Sequence, residues 1–152
     1  MTALLTQPAT AETIGHTISL AVAPAFLLAA LGQLLNLFAI RLARVIDRAR
    51  WIEEHFETLA RTATVPELRL LDRRMKIINA AIGFCTASAI AVCLVVGGLF
   101  VAGLLGVGFG RIVAALFILA MALLVIALAF FLIEVRLASR AIRIRHELLE
   151  QE

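Results

Sequence analysis

The residues best placed to do chemistry lie along one stretch, Gln33 to Arg50, QLLNLFAIRLARVIDRAR. No Gly or Pro interrupts it. On a continuous helix Gln33, Asn36, Ile40, Arg44, Asp47 and Trp51 fall within an arc of ~80°. One face therefore carries two amides at membrane depth, with an arginine and an aspartate just below. Amides cost free energy in lipid unless they find partners. The simplest partner is an interhelical hydrogen bond, inside the protomer or between protomers. The sharper expectation is a stripe turned to a symmetry axis. Copies of Gln33 and Asn36 would then ring a pore, with Arg44 and Asp47 as charged rings at its cytoplasmic mouth.

Glu134 is the second chemical feature. It emerges at the cytoplasmic edge of the last apolar run, where a lone carboxylate is disfavoured. Arg41, Arg44, Arg74 and Lys76 come from the same level, so a salt bridge across helices is expected, with Arg41 and Lys76 as candidate partners. A proton-handling role would need a second acidic group at mid-membrane, and the apolar runs hold none. Asn79 and Thr86 lie on a stripe with Asp72, Lys76, Gly83, Ile90, Cys93 and Gly97, small and weakly polar groups of the kind that favour close helix packing.

Enzyme chemistry finds no support. There is no nucleophile–base pair, no paired carboxylates within a span and no His/Cys ligand set. His16, His55 and His146 are far apart, which argues against a metal site. Cys85 and Cys93 share one span and read as small apolar fillers. The glycine-rich AGLLGVGFG, Ala102–Gly110, lacks a phosphate loop's lysine and reads as a turn. No cofactor is expected.

The elements that must position these groups are membrane helices. The chain has 152 residues, enough for one domain, and 62% are hydrophobic. Its mean hydropathy is +1.02, outside the soluble range. Three runs carry no charge: Ile18–Ile40 with 23 residues, Ile77–Gly110 with 34 and Ile112–Ile133 with 22. About 20 apolar residues cross the hydrocarbon core, so three spans are expected.

The net charge of +3 would suit nucleic acid, but position argues otherwise. Nine of the 14 basic residues lie between Arg41 and Lys76, four lie in the tail, and only Arg111 is on the other side. That is the positive-inside pattern: N-terminus outside, C-terminus in the cytoplasm. Arg48, Arg50, Arg136, Arg140 and Arg143 then sit against anionic headgroups.

The expected layout is an external lead-in over residues 1–15, in part helical, span 1 over 16–40 and a cytoplasmic hairpin over 41–76. Span 2 covers 77–102, an external turn 103–110, span 3 111–133 and an amphipathic cytoplasmic tail 134–152. Pro24 falls one to two turns inside span 1. The first helix should run on to Leu59–Arg61, with Val45, Ile46, Ile52, Phe56 and Leu59 on its apolar side and Glu53, Glu54 and Glu57 solvated. Thr64-Val65-Pro66-Glu67 reads as a capping box opening the return helix after a turn at Thr62–Val65. Leu68, Leu71, Met75 and Ile78 give that helix its apolar side. Trp51 should pack within the hairpin or between hairpins.

These pieces resemble one bacterial membrane protein family, domain of unknown function 2721. The segments that carry the resemblance are ISLAVAPAFLLAALGQLLNLFAIRLARVIDRAR, ELRLLDRRMKIINAAI and FFLIEVRLASRAIRI. With the spans between them they cover about Thr17 to Ile144. The resemblance implies three membrane helices in the bacterial inner membrane. It implies no activity and carries no catalytic residues.

The expected protein is all-α and integral to the membrane, with three transmembrane helices, the first two extended into a cytoplasmic helical hairpin. Three helices are too few to bury so many polar faces, so a symmetric homo-oligomer is expected. One reading is an ion-conducting pore lined by the first helix. The alternative is a scaffold whose basic hairpin and tail hold a cytoplasmic protein or anionic lipid. Its partners are thus membrane lipid and further copies of itself, without nucleic acid.

Overall fold

A computed structural model describes residues 8–56, 61–105 and 110–146. Three helices account for nearly all of them: α1 Pro8–Glu54, α2 Arg61–Leu105 and α3 Gly110–His146. No strand occurs among the described residues. All three helices are long and apolar enough to cross a membrane. At 1.5 Å per residue the 47 residues of α1 extend ~70 Å, against ~30 Å of hydrocarbon. Hence α1 and α2 outrun the bilayer together and form one continuous antiparallel pair, not a separate domain.

The packing follows a heptad rule. On α1 the covered positions are Ala21, Pro24, Leu28, Leu31, Leu35 and Phe38, then Leu42, Val45, Ala49 and Ile52. The steps alternate three and four residues without a slip. On α2 the same alternation runs Thr64, Glu67, Leu71, Arg74, Ile78 and Ala81, then Cys85, Ser88, Val92 and Val95. A 3.5-residue repeat is the period of left-handed packing at a shallow crossing angle of about 20°. Pro24 is buried in that seam inside an unbroken helix.

The middle helix, α2, packs along both neighbours. Between α2 and α3 the fit depends on small residues: Ala120 and Ala127 are fully buried. A Cβ added to Gly98 would lie 3.4 Å from Val113 Cγ2, ordinary contact, so the helices are close there. Ser88 Oγ donates 2.8 Å to the Ala120 carbonyl, tying α2 to α3 inside the membrane. The first and third helices meet through side chains: the Phe38 and Phe131 rings lie 4.8 Å apart. Phe84 and Phe130 stack at 5.6 Å on the α2–α3 side.

Several boundaries differ from the sequence reading. Helix α1 begins at Pro8, where a proline costs nothing because a first-turn N–H has no intrahelical acceptor. It ends at Glu54, short of the expected Leu59–Arg61, and His55 and Phe56 form a turn. Helix α2 begins at Arg61, ahead of the expected cap. Thr64 lies inside it, and Pro66 deprives only the Thr62 carbonyl, near the helix end, of its i+4 donor. Glu67 does not fold back onto an amide; it accepts from Arg48 Nε at 3.0 Å and Nη2 at 2.9 Å. A charged donor on the facing helix outcompetes a backbone amide for that carboxylate.

The seam between the arms is apolar as expected, with Val45, Ala49, Ile52 and Leu71 buried. Residues 1–7 of the lead-in, Glu57 and Leu59, residues 106–109 of the glycine-rich turn and the acidic end of the tail lie outside the described residues.

Candidate functional site

Heptad geometry fixes where the stripe on α1 points. Gln33, Ile40 and Asp47 sit half a turn, ~180°, from the centre of the α1 seam. Asn36, Arg44 and Trp51 flank that line. All six are exposed. The stripe therefore faces largely away from the protein's own helices, although Ile40 and Arg44 also line a groove beside α2. Neither the Gln33 nor the Asn36 amide has a hydrogen-bond partner among the described residues.

The α2 stripe behaves the same way. Asp72, Lys76, Asn79, Gly83, Thr86, Ile90, Cys93 and Gly97 are all exposed. Cβ atoms added at Gly83 or Gly97 would meet nothing within 4 Å. Asn79 and Thr86 thus reach no other helix of the protomer. Cys85 is buried in the seam while Cys93 faces outward.

Glu134 is where the three helices meet. Its side chain is fully buried. Arg74 Nη2 donates to Glu134 Oε1 at 2.7 Å, and Arg41 Nη1 lies 3.8 Å from Oε2. The expected interhelical salt bridge is present, with one partner corrected. Lys76 points outward and pairs with Asp72 at 2.7 Å, one turn away on its own helix. Arg74 occupies the seam, and Lys76, two residues on, is turned ~200° from it. The Arg41 guanidinium also lies 5.6 Å from the Phe131 ring centroid, over its face. Such a cation–π contact helps hold a charge at an apolar edge.

Below this junction, between α1 and α2, lies a groove of about 450 Å³. Arg41, Arg44, Arg48 and Arg74 line it. Leu37, Ile40, Val45 and Leu71 supply its apolar walls. The sequence places Arg41, Arg44 and Arg74 at one membrane level but does not bring Arg48 into a common groove with them. The signal was present: Arg41, Arg44 and Arg48 recur at steps of three and four on one flank of α1. Arg50 lies about 120° round the helix from Arg44, away from the groove.

Trp51 does not pack in the hairpin. It is exposed, stacks on His55 at 4.7 Å and lies under the Arg48 guanidinium at 4.8 Å. Arg136 is exposed on α3; Arg140 and Arg143 follow on the same helix, their side chains outside the described set.

Three spanning helices, an ion pair locked between them at one membrane edge and two outward polar stripes define a multi-pass α-helical membrane protein. The chain belongs to the family described as protein of unknown function DUF2721, which it matches over residues 21–144. That range takes in the stripe, the groove and Glu134. No curated protein and no solved structure matches it.

Proposed function

We propose that the protein works as a homo-oligomer of the bacterial inner membrane, N-terminus outside and C-terminus in the cytoplasm, whose copies turn α1 toward a shared axis and enclose a path for ions. The observation that carries this reading is the outward direction of the α1 stripe. Gln33 and Asn36 lie at membrane depth and the protomer leaves them uncovered. Acyl chains cannot satisfy an amide; water or another polypeptide can. Copies around an axis supply both. Gln33, Asn36 and Ile40 then ring the path, with Asp47 and Arg44 at its cytoplasmic mouth. The α2 stripe has a different composition, dominated by glycine, threonine and cysteine, and suits close contact with a neighbouring copy.

Positive residues crowd one end of the spans, which supports the orientation. Fusion of a reporter active in only one compartment to each terminus checks it. Conduction is tested by reconstituting the intact protein in planar bilayers. The expected result is a unitary current whose size falls on Asn36→Leu and whose ion selectivity shifts on Asp47→Asn. A silent bilayer from a verified oligomer would overturn conduction and leave a non-conducting scaffold.

A further inference from the structure

We propose that the arginine groove is a binding site for the phosphodiester headgroup of an anionic glycerophospholipid. Four arginines line it: Arg41, Arg44, Arg48 and Arg74. Two carboxylates answer them: Glu134 takes Arg74 and lies near Arg41, and Glu67 takes Arg48. The groove keeps a surplus of two positive charges. Arg44 has no acidic partner among the described residues; within the buried pair, Arg74 Nε and Glu134 Oε2 both lack a hydrogen-bond partner. An anion bearing several acceptor oxygens supplies what is missing. Guanidinium forks match phosphate oxygens in geometry as well as charge.

The shape of the groove selects a lipid over a free anion. Leu37 and Ile40 close the charge-free run of α1, and the arginines begin with the next residue. The groove therefore straddles the boundary between hydrocarbon and headgroups, apolar above and cationic below. A phospholipid presents the same order: acyl chains along Leu37, phosphate among the arginines. Basic pockets between membrane helices at this depth are a recurrent setting for anionic headgroups. The site lies within one protomer and needs no axis; it shares Ile40 and Arg44 with the path proposed above, so its test reads lipid binding and not current.

The chain carries its own probe. Its one tryptophan, Trp51, stacks under Arg48 at the lower end of the groove. Phosphatidylglycerol is titrated into the full-length protein in neutral detergent, with Trp51 fluorescence and lipid retained in native mass spectrometry as readouts. Phosphatidylcholine and inorganic phosphate serve as comparison ligands. Arg44→Gln is the main variant because Arg44 is exposed and its removal breaks no hydrogen bond or ion pair among the described residues. Arg50→Gln removes the same charge from outside the groove.

The expected result is phosphatidylglycerol bound at least ~10-fold more tightly than phosphatidylcholine. Arg44→Gln should weaken it by about 10-fold, the loss of one charge-assisted contact, and Arg50→Gln by less than ~2-fold. Equal losses in the two variants would overturn the site in favour of diffuse surface charge. Equal affinity for phosphatidylcholine would overturn anionic selectivity. Displacement of the lipid by millimolar inorganic phosphate would make it a soluble-anion site instead.

Discussion

At the scale of single residues, Glu134 is the group on which the protomer depends most. Its carboxylate is fully buried and holds Arg74 from the middle helix at 2.7 Å. Removing one member of a buried pair leaves the other charge uncompensated and costs about 3–5 kcal/mol. Glu134→Ala should therefore lower the thermal midpoint of the detergent-solubilised protein sharply. Glu134→Gln should do less, because an amide oxygen still accepts from Arg74. Lys76→Ala should change stability by less than ~0.5 kcal/mol, since its pair with Asp72 is exposed on both sides. A Lys76 variant as damaging as the Glu134 one would refute this ranking. Ser88 is a smaller case. Its hydroxyl ties α2 to α3 through the Ala120 carbonyl, and Ser88→Ala should cost about 0.6 kcal/mol, as for hydrogen bonds between membrane helices.

At the scale of elements, the 3–4 alternation along α1 and α2 decides which apolar residues matter. Phe38 lies on the seam, against Phe131; Leu37 and Ile40 do not. Phe38→Ala should cost about 3–5 kcal/mol, a loss of packing that leaves a cavity. Ile40→Ala should leave the protomer's stability nearly unchanged. Chemical or thermal unfolding of the two variants separates them.

The contrast between Phe38 and Ile40 also marks how far the fold was legible in the sequence. The spans were legible because a charge-free run of about 20 residues is the length that crosses a bilayer and is rare elsewhere. The family followed from the segments around those runs. Glu134 was legible from its type and depth. The seam was harder to see, although its spacing is regular. In lipid the residues that face outward are as apolar as those that face a neighbouring helix, so hydropathy does not separate them. Only a polar residue breaks that symmetry, which is why the stripe of Gln33 and Asn36 stood out and the line from Ala21 to Ile52 did not. Without the seam, depth alone does not separate Arg74 from Lys76 as the partner of Glu134. The capping box failed for another reason: Glu67 had a charged partner on α1 that its local sequence does not contain.

At the scale of the whole molecule, the two outward stripes separate the fold of one copy from the proposed assembly of several. A substitution on the seam damages the protomer; a substitution on a stripe should damage only what lies outside it. Gly83 tests this most directly. It lies on the α2 stripe in the half of the span nearer the hairpin, between Asn79 and Thr86, and a side chain built there meets nothing within 4 Å in the protomer. Leucine also favours helix over glycine by nearly 1 kcal/mol, so Gly83→Leu should fold at least as well as the parent. If a second copy packs against this face, the added isobutyl group must hold the two helix backbones apart. Close approach is what small residues provide in membranes, where no hydrophobic force drives helices together. The expected outcome is a protein with unchanged helix content and thermal midpoint that sediments as a smaller species in detergent. Gly98→Leu is the opposite control, because that position already contacts Val113 on α3 and should lose stability instead. Should Gly83→Leu keep the parent's oligomer mass, the α2 face is lipid-facing and copies associate through α1 alone.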